Sequence, residues 1–170
     1  MQLAYVSAPG RGTTDALLAD AVARIRALGI VPAGTVQTNP PCKGREKCDM
    51  DIHVLPDGPV LRISQDLGVH ARGCRLNSDA LETAVAEAAR RLEGAHLLIV
   101  NKFGKHEAEG RGFVPVIAAA LDRGLPVLVG VNALNMPAFD AFAGGLATEL
   151  SADPAAIADW VAASGCAHAA

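Results

Sequence analysis

Apolar residues in this chain fall into short continuous runs and into longer stretches in which they recur every three or four positions. The runs are typical of buried strands, and the spacing is typical of amphipathic helices. Two of the runs, at 49–55 and 59–64, flank the turn residues Pro56-Asp57-Gly58, and together they predict a β-hairpin. The pattern also predicts strands at 3–8, 30–38, 95–101, 125–131 and 146–150, and helices at 14–28, 79–92, 113–123, 137–143 and 154–165.

Strands that alternate with helices indicate an α/β fold with a mostly parallel sheet. We therefore predict a three-layer sandwich with a mostly parallel sheet and an inserted β-hairpin at about 49–64. A length of 170 residues suits one domain, 1–170, with a frayed tail at 166–170. Only 4% of the residues are aromatic, so the core must be built from Ala, Leu, Val and Ile.

Composition excludes several classes of function. The net charge is -3, which argues against nucleic acid as a partner. No apolar stretch approaches the roughly 20 residues of a membrane span, and the N-terminus lacks the features of a signal peptide. The cytoplasm is therefore the expected location. A mean hydropathy of +0.26 favours a homo-oligomer that buries an apolar face.

The segment from Ser7 to Asp15 is placed like a phosphate-binding loop, between the first strand and the first helix. Small residues there allow backbone N–H groups to converge on an anion. Gly12 and Thr14 match the motif G-x-x-x-x-G-K-[ST], but Ser7 replaces its first Gly and Thr13 replaces its Lys. Loss of the lysine disfavours phosphoryl transfer. The loop predicts an anion site, and the alternative is an ordinary turn whose glycines serve only steric needs.

A second candidate loop follows the buried run at 97–100. Ligands of α/β proteins bind outside the carboxyl ends of strands, and this strand ends in Asn101 and Lys102. P-loop hydrolases carry magnesium-binding acidic residues at this place. The segment also holds several other charged residues within a glycine-rich stretch, namely Lys105, His106, Glu107, Glu109 and Arg111.

These charged residues have two interpretations. Lys102 or Lys105 can replace the charge that the first loop lacks, and Lys105, Glu107 and Glu109 are then the catalytic candidates. In the simpler interpretation, which we favour, the two glutamates pair with Lys102, Lys105 and Arg111 and fix the shape of the loop.

Five segments carry a family resemblance: APGRGTT, AGTVQTN, CDMDIHVLPDGPVLRISQDLG, GCRLN and LLIVNKFGKHEAEGRG. Between residues 3 and 132 the chain resembles an uncharacterised bacterial family of unknown function that is linked to molybdenum uptake. It is more distantly similar to the thermophilic nucleoside-triphosphatase family of P-loop proteins, which has a GTVQT-like second strand, a strand pair with a D-G turn, and a later strand with a charged end. The resemblance implies a P-loop-like fold and molybdate handling.

Cysteines offer a different chemistry. Cys42 and Cys48 are separated by five residues, wider than the roughly two to four of a zinc knuckle. Together with His53 and Cys74 they are candidate metal ligands. Free thiols are the simpler interpretation, and neighbouring cations also permit a reversible disulfide.

The sequence therefore predicts binding of an oxyanion or a nucleotide phosphate where the loops 7–15 and 101–112 meet. The ligand would be molybdate or a nucleotide with Mg²⁺. The alternatives are an active nucleoside triphosphatase with a displaced lysine, and a metal-carrying or scaffold protein that uses Cys42 and Cys48. The candidate anion-binding residues are Gly10, Arg11, Gly12, Thr13, Thr14, Asn101, Lys102 and Lys105, with Arg72 and Arg75 as second choices.

Overall fold

Strands and helices alternate along most of the chain in the computed structural model, which describes residues 2–39, 49–65 and 76–165. Each predicted strand and helix is present, with ends that shift only slightly. The strands are β1 (Leu3–Val6), β2 (Pro32–Thr38), β3 (Asp51–Leu55), β4 (Val60–Arg62), β5 (Leu97–Val100), β6 (Val127–Gly130) and β7 (Ala147–Leu150). The helices are α1 (Thr13–Ala27), α2 (Ser78–Arg90), α3 (Lys105–Ala108), α4 (Val114–Asp122), α5 (Met136–Ala143) and α6 (Pro154–Ala163).

The charged segment after β5 differs from the expectation of a loop, because it contains the short helix α3. This helix has only four residues, too few to show an apolar repeat in the sequence. The Glu107 carboxylate stabilises its start by accepting a hydrogen bond from the Gly104 backbone N–H at 2.9 Å. This capping contact does not show in the hydrophobic pattern, so the pattern did not predict the helix.

The seven strands form one sheet in the order β4-β3-β2-β5-β6-β1-β7. β1 pairs in parallel with β6 and β7, and β5 pairs in parallel with β2 and β6. The hairpin of β3 and β4 extends the sheet beyond β2 in antiparallel fashion. The predicted α/β class, the mostly parallel sheet and the inserted hairpin are thus confirmed.

Helices cover both faces of the sheet, because β5 is apolar on both of its faces. Leu97 and Ile99 belong to the core under α1 and α6, whereas Leu98 and Val100 belong to the core under α2, α4 and α5. All four side chains are fully buried. Such continuous apolar strands are typical of sheets sandwiched between helices.

The helix lengths bear on the expectation that the chain has no membrane span. The helix α1, at 15 residues, is the longest in the described ranges. A span needs about 20 apolar residues. Within residues 2–39, 49–65 and 76–165, no helix has both the length and the apolar character to cross a bilayer.

Two glycines permit close approaches that bring the strand ends together. Gly34 in β2 has φ +110°, and a Cβ there would lie 1.8 Å from the carbonyl oxygen of Ile99 in β5. A Cβ on Gly130, at the end of β6, would lie 2.2 Å from the Asn101 carbonyl oxygen. Because β5, β6 and β1 are neighbouring parallel strands, their carboxyl ends also lie side by side at one edge of the sheet.

Candidate functional site

A cavity of about 140 Å³, which we call the strand-end cavity, opens at this edge. The loop between β1 and α1 contributes Ala8, Gly10, Arg11, Gly12, Thr14 and Asp15. The chain after β5 contributes Asn101 and Lys102, and the end of β6 contributes Gly130, Val131 and Asn132. The two predicted loops thus meet in one cavity.

The first loop begins α1 without a side-chain cap. Gly12 occupies the N-cap position with φ 77°, and it has no side chain that could accept a hydrogen bond from the first turn. The first N–H groups of a helix have no partner within the helix, and they carry a partial positive charge. The Thr14 hydroxyl instead holds the loop, accepting from the Ala8 backbone N–H at 3.1 Å and donating to the Ala8 carbonyl at 3.4 Å. The N-cap residue of α1 therefore leaves the first N–H groups of the helix without a side-chain cap.

A network of amides around Asp15 joins three elements of the fold. Its Oδ1 accepts from Asn101 Nδ2 at 2.9 Å, and its Oδ2 accepts from Asn39 Nδ2 at 3.1 Å and from Gln37 Nε2 at 3.3 Å. Asn101 is only 4% exposed, and its Oδ1 accepts from the Gln37 backbone N–H at 2.8 Å. This network fixes α1 to the ends of β2 and β5.

The strand-end cavity contains two cationic side chains and one carboxylate. Arg11 and Lys102 are both exposed, and neither forms an ion pair within the described ranges. Asp15 is the carboxylate that lines the same cavity. The formal charge of the lining is therefore +1, which suits an anion.

Lys105 does not line the strand-end cavity. Its side chain is 86% exposed, and its Nζ lies 3.7 Å from Glu109 Oε1. Arg111 also pairs with Glu109, and this hydrogen bond is the main cause that lowers the pKa of Glu109. The pairing of Glu109 with Lys105 and Arg111 agrees with the simpler interpretation of the charged segment, in which ion pairs fix its shape.

Glu107 differs from that interpretation, because its partners are backbone groups. It is 5% exposed and accepts from the Gly104 N–H at 2.9 Å and the Phe113 N–H at 3.1 Å. A Cβ at Gly112, which has φ +57°, would lie 2.2 Å from Glu107 Oε1. Both carboxylate oxygens are thus engaged in holding the turn between α3 and α4.

Other candidates lie away from the cavity or outside the described residues. Thr13 is exposed and does not line the cavity. His53 Nε2 lies 2.9 Å from Thr38 Oγ1. In the described part of the chain, no group of three or more His, Cys, Asp or Glu side chains is placed to hold a metal ion. The residues Cys42, Cys48, Arg72, Cys74 and Arg75 lie outside the described residues.

Sequence reasoning did not name five lining residues as site residues: Ala8 and Asp15 in the first loop, and Gly130, Val131 and Asn132. The last three belong to the end of β6, which lies between β1 and β5. The sequence does contain a signal for this third strand end. The apolar run at 125–131 is followed by Asn132, just as the run at 97–100 is followed by Asn101. Recognising it required the strand order, which the sequence does not give directly.

A family model described as "Protein of unknown function (DUF2478)" matches residues 3–160. The chain belongs to this family. The predicted resemblance to a family of unknown function is thereby confirmed.

Two individual proteins add to this finding. The "Molybdenum import ATP-binding protein ModC 2" of Bradyrhizobium diazoefficiens is 34% identical over 149 residues, which make up 86% of this chain and 16% of that protein. The chain therefore spans only a small part of the length of this relative. The "Solution Structure of a Human Cancer-Related Nucleoside Triphosphatase" has a TM-score of 0.60 at 15% identity, over 96% of this chain and 97% of that one. This second likeness shows the fold, which is that of a P-loop-like α/β sandwich.

Proposed function

We propose that this protein binds an oxyanion or the phosphate group of a nucleotide in the strand-end cavity. The observation that carries the proposal is the meeting of Arg11, Lys102 and the uncapped start of α1 in one cavity of about 140 Å³. Helix starts and guanidinium groups both favour bound oxyanions, the first through N–H donors and the second through a fork of donors. The three features come from two loops that the parallel sheet brings to one edge.

The comparisons support this proposal at the level of ligand class. The relative from Bradyrhizobium diazoefficiens is named for ATP binding and for molybdenum import, and the structural neighbour is named as a nucleoside triphosphatase. Molybdate and a nucleotide phosphate are both tetrahedral oxyanions, so both names agree with an anion cavity. A place in molybdate handling is part of the proposal, and it stands on the relative's name alone.

The arrangement supports binding more than hydrolysis. Thr13 stands where P-loop hydrolases have their lysine, and Asn101 stands where they have an acidic residue. The Thr14 hydroxyl already contacts the backbone of Ala8. The residues present therefore do not fit the magnesium site of those enzymes, and we propose no step through a metal ion.

Glu107 and Glu109 do not alter this conclusion. The first has both oxygens on backbone N–H groups, and the second pairs with Lys105 and Arg111. No described side chain other than Asp15 brings a carboxylate to the cavity lining. A displaced-lysine triphosphatase built on Lys105 thus finds no support in the geometry.

The contribution of Arg11 and Lys102 to anion binding can be tested directly. We expect the double variant Arg11→Ala/Lys102→Ala to bind inorganic phosphate at least about tenfold more weakly than the unmodified chain, since each lost charge-assisted contact is worth roughly 1.5–3 kcal/mol. Isothermal titration calorimetry at low ionic strength measures the effect. Binding should also weaken as salt is added, because exposed charges are screened.

Lys105→Ala is the matched control, since it removes one exposed cation that lies outside the strand-end cavity. Its phosphate affinity should remain within about twofold of the unmodified chain, as expected for screened surface charge. The proposal fails if the double variant binds as well as the control. It fails equally if the unmodified chain binds neither phosphate, molybdate nor a nucleotide.

A further inference from the structure

A carboxylate lies inside a cavity that is otherwise suited to anions. Asp15 accepts three hydrogen bonds, from Asn101, Gln37 and Asn39, and every one of these donors is an amide NH₂ group. A carboxylate has roughly four acceptor positions on its two oxygens. Among the described residues, Oδ2 has two donors and Oδ1 has one, so Oδ1 retains an acceptor position that no described group fills.

This free position distinguishes anions by whether they carry a proton. An oxyanion with a P–OH group can donate a hydrogen bond to Asp15, and hydrogen bonds between such partners are short and strong. An oxyanion without a proton places its own negative oxygens against the carboxylate, which is repulsive. Inorganic phosphate keeps at least one proton at neutral pH, whereas a phosphate monoester loses its last proton near pH 6 and is mostly deprotonated at pH 7. Sulfate and molybdate carry none at neutral pH.

We propose that Asp15 makes the strand-end cavity selective for hydrogen-bearing phosphate groups over fully deprotonated oxyanions such as sulfate and molybdate. This inference rests on the proposed function, and it narrows the ligand at neutral pH to inorganic phosphate, so that it excludes the molybdate alternative of that function. The bound anion takes donors from Arg11, Lys102 and the start of α1, and it gives its one proton to a hydrogen bond with Asp15. The fixed position of the carboxylate, held by amides from β2 and β5, makes the selection a property of the folded protein.

The experiment compares the affinities of one protein for tetrahedral oxyanions that do or do not carry a proton at pH 7. We measure the affinity of the full chain for inorganic phosphate, sulfate and molybdate by calorimetry at pH 7, with adenosine monophosphate as a fourth probe. Phosphate should bind at least about tenfold more tightly than sulfate or molybdate. Adenosine monophosphate is mostly deprotonated at pH 7, so it should bind more weakly than inorganic phosphate, and equally tight binding would contradict the selection.

Asp15→Asn tests the assigned residue, since it removes the charge at nearly constant size. The ratio of phosphate to sulfate affinity should fall to about one, because the variant no longer repels a deprotonated anion. Asp20→Asn is the matched control: Asp20 is an exposed aspartate of the same helix that does not line the cavity, and the ratio should stay unchanged. Thermal unfolding of both variants checks that the fold is retained.

The outcomes separate this inference from the function on which it rests. If no anion binds to the unmodified chain, the proposed function fails and takes the inference with it. If phosphate, sulfate and molybdate bind equally well, the cavity is an anion site but the selection is wrong. That result needs no variant, so the inference is testable even if Asp15→Asn unfolds. Unchanged selectivity in a folded Asp15→Asn variant would also overturn it.

Discussion

The Gly34→Ala variant is expected to lose about 4 kcal/mol of its free energy of unfolding, from backbone strain and overpacking together. Gly34 has φ +110°, which is unfavourable for any residue with a Cβ. The added methyl would also lie 1.8 Å from the Ile99 carbonyl oxygen, which belongs to the backbone of β5 and cannot rotate away. Chemical denaturation followed by circular dichroism measures the loss.

Gly124→Ala separates the two causes of that loss. Gly124 has φ +75°, but nothing lies within 4 Å of a Cβ built there. This control should lose only about 1 kcal/mol, the cost of a left-handed conformation. Equal destabilisation of the two variants would mean that the β2–β5 approach is looser than the structure shows. Since this approach places Gln37 beside Asn101, such a result would also weaken the description of the cavity.

Asn101→Asp is expected to destabilise the protein by about 3 kcal/mol at pH 7, because it replaces an amide donor by a second carboxylate. The Asn101 Nδ2 atom lies 2.9 Å from Asp15 Oδ1, and the residue is almost fully buried. An extra negative charge next to Arg11 and Lys102 should also weaken phosphate binding by at least about tenfold. Denaturation curves and calorimetry measure the two effects.

The pH dependence of this variant has a definite sign. In the folded state the two carboxyls face each other, so one of them binds a proton at a higher pH than in the unfolded chain. The folded state then holds more protons, and its stability rises as the pH falls. The free energy of unfolding of Asn101→Asp should therefore approach that of Asn101→Ala as the pH is lowered from 7 to about 4. A constant difference across this range would show that the two carboxyls are not in contact.

The fold was predictable because its signals are local. The run at 97–100 is apolar on both faces, and this pattern indicates a strand covered by helices on both sides. Asp153 and Pro154 marked the start of α6, where the Asp153 side chain indeed accepts a hydrogen bond from the Ala155 N–H at 3.0 Å. Pro56-Asp57-Gly58 marked the turn between β3 and β4.

The candidate site was predictable only in part, because its side-chain contacts join distant parts of the sequence. Asn101 and Asp15 are 86 positions apart, and their hydrogen bond depends on the order of the strands. Lys105 was expected to supply charge to the anion site, but it lies in α3 with its Nζ 3.7 Å from Glu109 Oε1 and does not line the cavity. Glu107 resembled a catalytic residue in the sequence, and only tertiary structure shows its carboxylate on backbone N–H groups.

Several expectations from the sequence stay predictions. These are the single domain, the homo-oligomer, the cytoplasmic location and the role of Cys42 and Cys48. Exposed apolar side chains near α5, such as Leu134 at 87% and Leu146 at 64%, are compatible with a contact between copies. Sedimentation analysis of the purified chain would measure the oligomeric state.

The central claim is that two loops and the end of β6 form one anion-binding cavity. A titration of the ¹⁵N-labelled chain with inorganic phosphate, followed by two-dimensional NMR, tests it most directly. We predict saturable shifts of backbone amide signals from residues 10–15, 101–102 and 130–132 with a single dissociation constant. Shifts confined to one of these segments, shifts centred on 105–111, or no saturable shift at all would contradict the account.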